Sequence, residues 1–248
     1  MSDILRELAS REWGKRRRIY LLRHGAVSYY DAAGNPVPST DTVPLNELGR
    51  SQAQAAGVAL KGVKFDKLIV SGLPRTVETA ARVLSENGNG APPSVTIPEL
   101  REIKGGPPVD IKDQNAEAQF TQVFGKPDNF DVRFLGGELL GEFTDRVHGA
   151  FAKVLADPTW NDLLMVLHGG TNRAILSYCL TGGQRHFLGA LHQTPACINL
   201  IDVGNVAKAD FVVRAVNIAP PDLMQAGRRN TTLEELLEKF LAFKLNNK

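Results

Sequence analysis

The chain has 248 residues, 43% of them hydrophobic, and a fold of that length withdraws about three quarters of its surface from water, which excludes disorder and fibrous repeats. Twenty-nine basic side chains against 27 acidic ones leave a net charge of +2, too small for a global field toward nucleic acid or anionic lipid, so any anion binding must be local. The longest aliphatic run, Leu163 to Leu167, is far short of the roughly 20 residues that cross a bilayer, and Asp3, Glu7 and Glu12 occupy the first dozen positions. The expectation is a cytoplasmic protein without a signal peptide, in contact with neither membrane nor nucleic acid, folded as one α/β domain over 1–248.

In chain order, Lys15 to Arg18 reads as a solvated basic approach to a first strand, Arg18 to Leu22. A Gly-, Pro-, Ser- and Thr-rich stretch, Ala26 to Pro44, has the length of a lid or binding segment. Asn46 can cap a helix from Glu47 to Leu60, and Lys67 to Val70 is a second strand. Pro74 suits the first turn of a helix that turns Val77, Ala80, Ala81 and Leu84 inward. A short strand is expected around Ser94 to Ile97, and then a second lid-like stretch, long and polar, from Ile103 to Gly137.

A helix from Glu138 to Leu155 would bury Leu140, Phe143, Val147, Phe151 and Val154; a strand, Leu163 to Leu167, and a helix, Thr171 to Leu180, follow. Two more strands are read at Ile198 to Val203 and Phe211 to Asn217. Thr231-Thr232-Leu233-Glu234 is a capping box for a last helix reaching about residue 245, whose stripe Leu233, Leu236, Leu237, Phe240 and Leu241 must be covered by the body or by a partner. Left exposed, it would favour a homodimer. Short aliphatic runs alternating with stretches of 3.6 periodicity describe an α/β sheet. Cys179 and Cys197 sit in apolar stretches without metal-type spacing and are expected as buried thiols, with neither disulfide nor structural metal.

The chemistry concentrates where predicted strands end. Ile19 to Leu22 runs into Arg23-His24-Gly25, Leu68 to Val70 into Ser71-Gly72-Leu73-Pro74-Arg75, and Leu164 to Leu167 into His168-Gly169-Gly170. The carboxyl ends of parallel strands share one rim, where such sheets bind ligands. Two arginines and two histidines would converge there. Forked guanidinium donors and helix N-termini near Pro74 and Thr171 match a tetrahedral phosphate. A neutral imidazole can attack phosphorus, and His24 is the expected nucleophile, with His168 and the arginines stabilising charge and no metal or other cofactor required. An alkoxide leaving group needs a proton, for which Glu78, Glu99, Glu102 and Glu138 are candidates. Glu78 is better placed for a salt bridge one turn after Arg75, and Glu102, on a loop before Gly105-Gly106, is selected.

These residues resemble the histidine phosphatase superfamily, in the branch that also holds the cofactor-dependent phosphoglycerate mutases. The resemblance runs from Ile19 to Leu180: Leu22-Arg23-His24-Gly25; Leu45-Asn46-Glu47-Leu48-Gly49; Ser71 to Ala80; Leu100-Arg101-Glu102; Gly136-Gly137-Glu138; and Val166 to Gly170. It implies a three-layer α/β/α sandwich with a mostly parallel central sheet. It also implies phosphate held by Arg23, His24, Arg75, His168 and Gly169, a phosphohistidine on His24, and Glu102 as proton donor and then water activator. The position at which many members carry a phosphate-contacting Asn is Tyr30 here, beside Ser28 and Tyr29; Ser28, Tyr30 and Lys104 are the expected substrate contacts.

The mutase subfamily carries an adjacent arginine pair between the acid and the second histidine. Ile103 to Gly137 has no such pair and a net charge of −1, which favours hydrolysis. Phe120, Phe124, Phe130 and Phe134 in that stretch are expected to pack the lid, with a site for a less polar ester as the other reading. The resulting expectation is a metal-independent hydrolase of a small phosphorylated metabolite. The alternatives are a phosphoglycerate mutase, or a catalytically weak member that binds a phosphorylated protein or metabolite.

Overall fold

The computed structural model describes residues 16–106, 116–121, 124–125, 129–219 and 230–246. Lys15 and the middle of the Ile103 to Gly137 stretch, including Lys112 and Lys126, lie outside them. Among the described residues, six strands form one sheet: β1 (Arg17–Arg23), β2 (Lys67–Val70), β3 (Ser94–Thr96), β4 (Asp162–Leu167), β5 (Ile198–Val203) and β6 (Phe211–Ile218), in the order β3-β2-β4-β1-β5-β6. The four strands from β3 to β1 are parallel; β5 and β6 close one edge antiparallel.

Strand alternation divides the core between two faces. Ile19, Leu21, Ile69, Leu163, Met165 and Leu167 face α4 (Leu140–Ala156) and α5 (Gly169–Leu180). Tyr20, Leu22, Leu68, Val70, Leu164 and Val166 face α1 (Glu47–Ala59) and α2 (Pro74–Asn87). This is the expected α/β/α sandwich. Both cysteines are free and buried. Among the described residues no helix is long and apolar enough to cross a membrane.

Several local expectations are corrected. The basic run is not simply solvated. Arg16 pairs with Asp210 at 2.6 Å and Arg18 with Asp202 at 2.6 Å, while Arg17 donates to the carbonyls of Leu155 and Asp157 at the end of α4 and lies over Trp160. α2 turns Arg75, Thr76, Thr79, Ala80, Val83 and Leu84 inward instead of Val77, which is 47% exposed, and Ala81. Its polar face is tolerated because each hydroxyl is bonded: Thr76 Oγ1 donates to Leu73 O, and Thr79 Oγ1 donates to Arg75 O while accepting Gly25 N–H. Strand β3 stops at Thr96, short of Ile97.

Helix α4 starts at Leu140, because the backbone before it is bonded elsewhere: Glu138 N–H donates to Lys104 O, Glu138 O accepts Phe134 N–H, and extended Leu139 bridges to Arg133, while the Glu138 carboxylate takes the Lys104 N–H and the Arg146 guanidinium. Helix α5 starts at Gly169, two residues early, with His168 as its extended N-cap and Gly169 and Gly170 in its first turn. Within the polar 103–137 stretch stands a short helix, α3 (Ala116–Thr121). The last helix, α6 (Thr232–Asn246), buries Phe240 against Ala116 and Phe120 of α3, with Leu236 and Leu237 alongside. Its stripe is thus covered partly by the body, and Leu241 and Leu245 remain exposed.

Candidate active site

The ends of β1, β2 and β4 meet on the rim of the parallel strands, as hydrogen bonds across the sheet require. His24 N–H donates to Leu167 O at 2.9 Å, tying the first histidine to the residue before the second. Gly25 has no room for a side chain: a Cβ there would lie 2.3 Å from Gly49 O, and the loop is further held by Gly25 N–H to Thr79 Oγ1 and Ala26 N–H to Gln52 Oε1. Asn46 accepts Gly49 N–H at 2.8 Å, the predicted cap, and so starts α1 against this loop.

His24 is 3% exposed, and its Nδ1 lies 2.7 Å from Gly25 O. A carbonyl can only accept, so Nδ1 carries the proton and Nε2 keeps its lone pair. Burial, and then the charges of Arg75 and Arg23, hold the imidazole well below its usual pKa and therefore neutral. His168 is fully buried, its ring centroid 5.2 Å from that of His24. Its Nε2 is 2.8 Å from Ser71 Oγ, which also meets Thr76 Oγ1. Burial, and then His24, Arg75 and Arg23, depress its pKa as well.

The guanidiniums are anchored at one end and unspent at the other. Arg23 Nη1 donates to Gln193 O at 2.5 Å and to Thr232 Oγ1 at 3.2 Å; Arg75 Nη1 donates to Thr40 O at 2.7 Å. Arg23 Nε, Arg75 Nε and His168 Nδ1 are buried without a hydrogen-bond partner. Buried polar groups are nearly always satisfied, so three orphans around one pair of imidazoles mark a place that takes an oxygen-rich, anionic group.

Glu102 reaches the same rim. Its Oε2 accepts Gly170 N–H at 2.9 Å and its Oε1 accepts Ile103 N–H, so the carboxylate sits on the N-terminus of α5 two residues beyond His168. The absence of a side chain at Gly170 gives the carboxylate this place, since a Cβ would fall 2.4 Å from Glu102 Oε1 and push the carboxylate aside. The competing acids are placed elsewhere. Glu78 binds Arg50, Arg82 and Leu45 N–H, Glu138 binds Arg146, and Glu99 is exposed.

Gly169 is the first residue of α5 and adjoins Arg23 Nε. The expected substrate contacts have partners of their own. Ser28 Oγ accepts from Asn46 Nδ2, Tyr30 bridges to Pro36 within its own loop, and the backbone of Lys104 is clasped by Glu138. Sequence reading missed Gln193, Thr40 and Thr232, whose bonds to the arginines span 35 to 209 residues and leave no local signal. Behind Arg23, Gln193 Nε2 donates to Asn199 Oδ1 and Asn199 Nδ2 donates to Leu21 O, a fully buried amide pair that stiffens the end of β1.

The family model of the histidine phosphatase superfamily, branch 1, matches residues 19–218. A protein of Salmonella paratyphi A named as a probable phosphoglycerate mutase GpmB is 30% identical over 157 residues, covering 61% of this chain and 69% of that one. Among solved structures, the alpha-ribazole phosphatase from Shigella flexneri superposes with a TM-score of 0.60 at 24% identity, over 81% of this chain and 96% of that one. A mycobacterial glucosyl-3-phosphoglycerate phosphatase gives 0.62 at 22%, over 82% and 99%. At these identities the superpositions speak for the fold.

Proposed function

The chain belongs to the histidine phosphatase superfamily, branch 1, and from that premise we propose that it is a phosphomonoester hydrolase working through a phosphohistidine on His24. The observation that carries this reading is the state of His24: neutral, its Nδ1 proton committed to Gly25 O, and its Nε2 lone pair free among orphaned donors. In the first step Nε2 attacks phosphorus, the P–N bond forms and the P–O ester bond breaks. The leaving alkoxide takes its proton from the Glu102 carboxyl. In the second step the Glu102 carboxylate removes a proton from water, the hydroxide attacks phosphorus, and the P–N electron pair returns to Nε2 as inorganic phosphate departs. Arg23, Arg75 and His168 stabilise the equatorial oxygens throughout, the charge work for which other phosphoryl-transfer sites recruit a metal.

The test is phosphate release from a panel of phosphomonoesters in EDTA, wild type beside His24→Ala, with acid-labile phosphohistidine trapped on the wild type. Release that vanishes in a folded variant supports the assignment; appreciable turnover by His24→Ala overturns it. The similarity to a probable phosphoglycerate mutase supports a second reading, isomerisation of phosphoglycerate dependent on 2,3-bisphosphoglycerate, and the same preparation is assayed for it.

A further inference from the structure

His168 is a buried imidazole whose proton can be placed by counting donors. The count starts at Leu73 O, the carbonyl of the residue that caps α2. A carbonyl only accepts, so the Thr76 hydroxyl, 2.8 Å away, spends its single proton there. Thr76 Oγ1 is therefore an acceptor toward Ser71 Oγ at 3.2 Å, and the Ser71 proton is spent in turn. What Ser71 Oγ has left is lone pairs. One takes the Leu73 N–H at 3.4 Å, and another faces His168 Nε2 at 2.8 Å. A contact of that length with an oxygen that has no proton to give requires N–H, so Nε2 carries the proton. In the neutral ring Nδ1 is then a bare lone pair, buried and without a partner. Ser71 and Thr76 are themselves fully buried, so water does not interrupt the chain.

A bare lone pair repels a phosphoryl oxygen, whereas the imidazolium donates to it from Nδ1 and still gives its Nε2–H to Ser71. We propose that Ser71 is a positioning residue which, backed by Thr76, holds the proton of neutral His168 on Nε2, so that His168 grips the phosphoryl group only by taking a proton from solvent onto Nδ1. The proposal rests on the phosphatase reading of the same site. The proton is returned when inorganic phosphate leaves, so none is consumed in a cycle. Charged groups on every side of the ring decide when it binds. His24 and Arg23 act from the end of β1, Arg75 from α2 and Arg146 from α4, and the Glu102 carboxylate sits on the Gly170 N–H. Burial, and then His24, Arg75 and Arg23, keep the ring neutral in the empty site. A dianion seated among the orphaned donors brings its negative charge beside the ring and reverses that balance.

Inorganic sulfate is the probe, because it is a dianion with no proton of its own near neutral pH. Calorimetry in buffers of different ionisation enthalpy counts the protons taken up, and His24→Ala isolates His168 from the other imidazole. In His24→Ala about one proton is expected per sulfate, with Kd rising about tenfold per pH unit between about pH 7 and 8; adding His168→Gln brings the uptake near zero. Long-range proton–nitrogen spectra of enzyme labelled in its histidines, with His168 identified by its loss in His168→Gln, read the tautomer directly. The free wild type shows Nε2–H alone, and saturating sulfate protonates both nitrogens. Thr76→Val keeps the shape of the side chain but frees the Ser71 proton for Nε2, which moves the His168 proton to Nδ1. Ser71→Ala removes the acceptor and abolishes the preference. Introduced into His24→Ala, either change flattens the dependence of Kd to less than about threefold per pH unit. A wild-type ring with its proton on Nδ1, an uptake that survives His168→Gln, a tautomer unmoved in both Thr76→Val and Ser71→Ala, or failure of the wild type to bind sulfate would each overturn the assignment. Absence of phosphate release would overturn the phosphatase reading alone, since neither readout needs turnover.

Discussion

The contact between Gly170 and Glu102 allows the acid to be displaced without being removed. In Gly170→Ala the new Cβ would stand 2.4 Å from Glu102 Oε1, a separation that carbon and oxygen do not sustain, so the carboxylate must swing off the N-terminus of α5 and surrender the 2.9 Å bond from the Gly170 amide. Helix propensity favours Ala by up to about 1 kcal/mol, and losing a hydrogen bond to a charged group costs about 1.5–3 kcal/mol, so stability falls by about 0.5–3 kcal/mol, less than the roughly 5–15 kcal/mol that holds a domain folded. Catalysis is affected more. A misplacement of about 1 Å can cost a reacting group about 100-fold, and general acid catalysis is worth about 100- to 10,000-fold. For an alkyl phosphate such as glycerol 3-phosphate, kcat/KM is expected to fall by about 10- to 100-fold. For p-nitrophenyl phosphate, whose leaving group departs without a proton, the loss is expected to stay within about threefold. Both are measured by phosphate release at fixed pH, with thermal unfolding as the control. Equal losses on the two esters would refute the assignment of Glu102 as the acid, and so would no loss on either.

Two further consequences follow from burial. His24 and His168 have folded pKa values below the unfolded value of about 6.5, so between those values the unfolded chain binds more protons. Stability therefore declines as pH falls below about 6.5 toward the depressed values, and His168→Gln should flatten the dependence of Tm on pH between 7 and 5; an unchanged slope would contradict the burial argument. Phe240→Ala removes the ring that α6 sets against Phe120, at a cost of about 3–5 kcal/mol if that side chain were in a rigid core and less for a terminal helix. The helix should undock, become cleavable by limited proteolysis, and withdraw Thr232 from Arg23, raising KM; resistance equal to wild type would show that Phe240 does not hold it.

Much of the architecture was legible because it is encoded locally. Alternation along Ile19 to Leu22 and Leu163 to Leu167 assigns each side chain to one face of the sheet, and both segments do feed separate cores. Asn46 announces the start of α1 by a bond within its own first turn. Arg23, His24, Arg75 and His168 stand one step past strand ends, and a parallel sheet gathers such ends on one rim whatever the loops do. The inner face of α2 was misread because hydropathy cannot see that Thr76 and Thr79 are satisfied by hydrogen bonds.

What only the tertiary structure decided depends on contacts between distant segments. The carboxylate beside His168 comes from a residue 68 positions away from the amide that holds it, and one support of Arg23 from a hydroxyl 209 positions away. The tautomer of His24 follows from a single carbonyl placed by the Gly25–Gly49 approach. Ser71 and His168, 97 positions apart in the chain, become partners only when β2 and β4 pair. Residue type and spacing thus specify which chemistry the chain can host, whereas protonation state, partner choice and unpaired charge are set by distances of a few ångströms that no local pattern encodes.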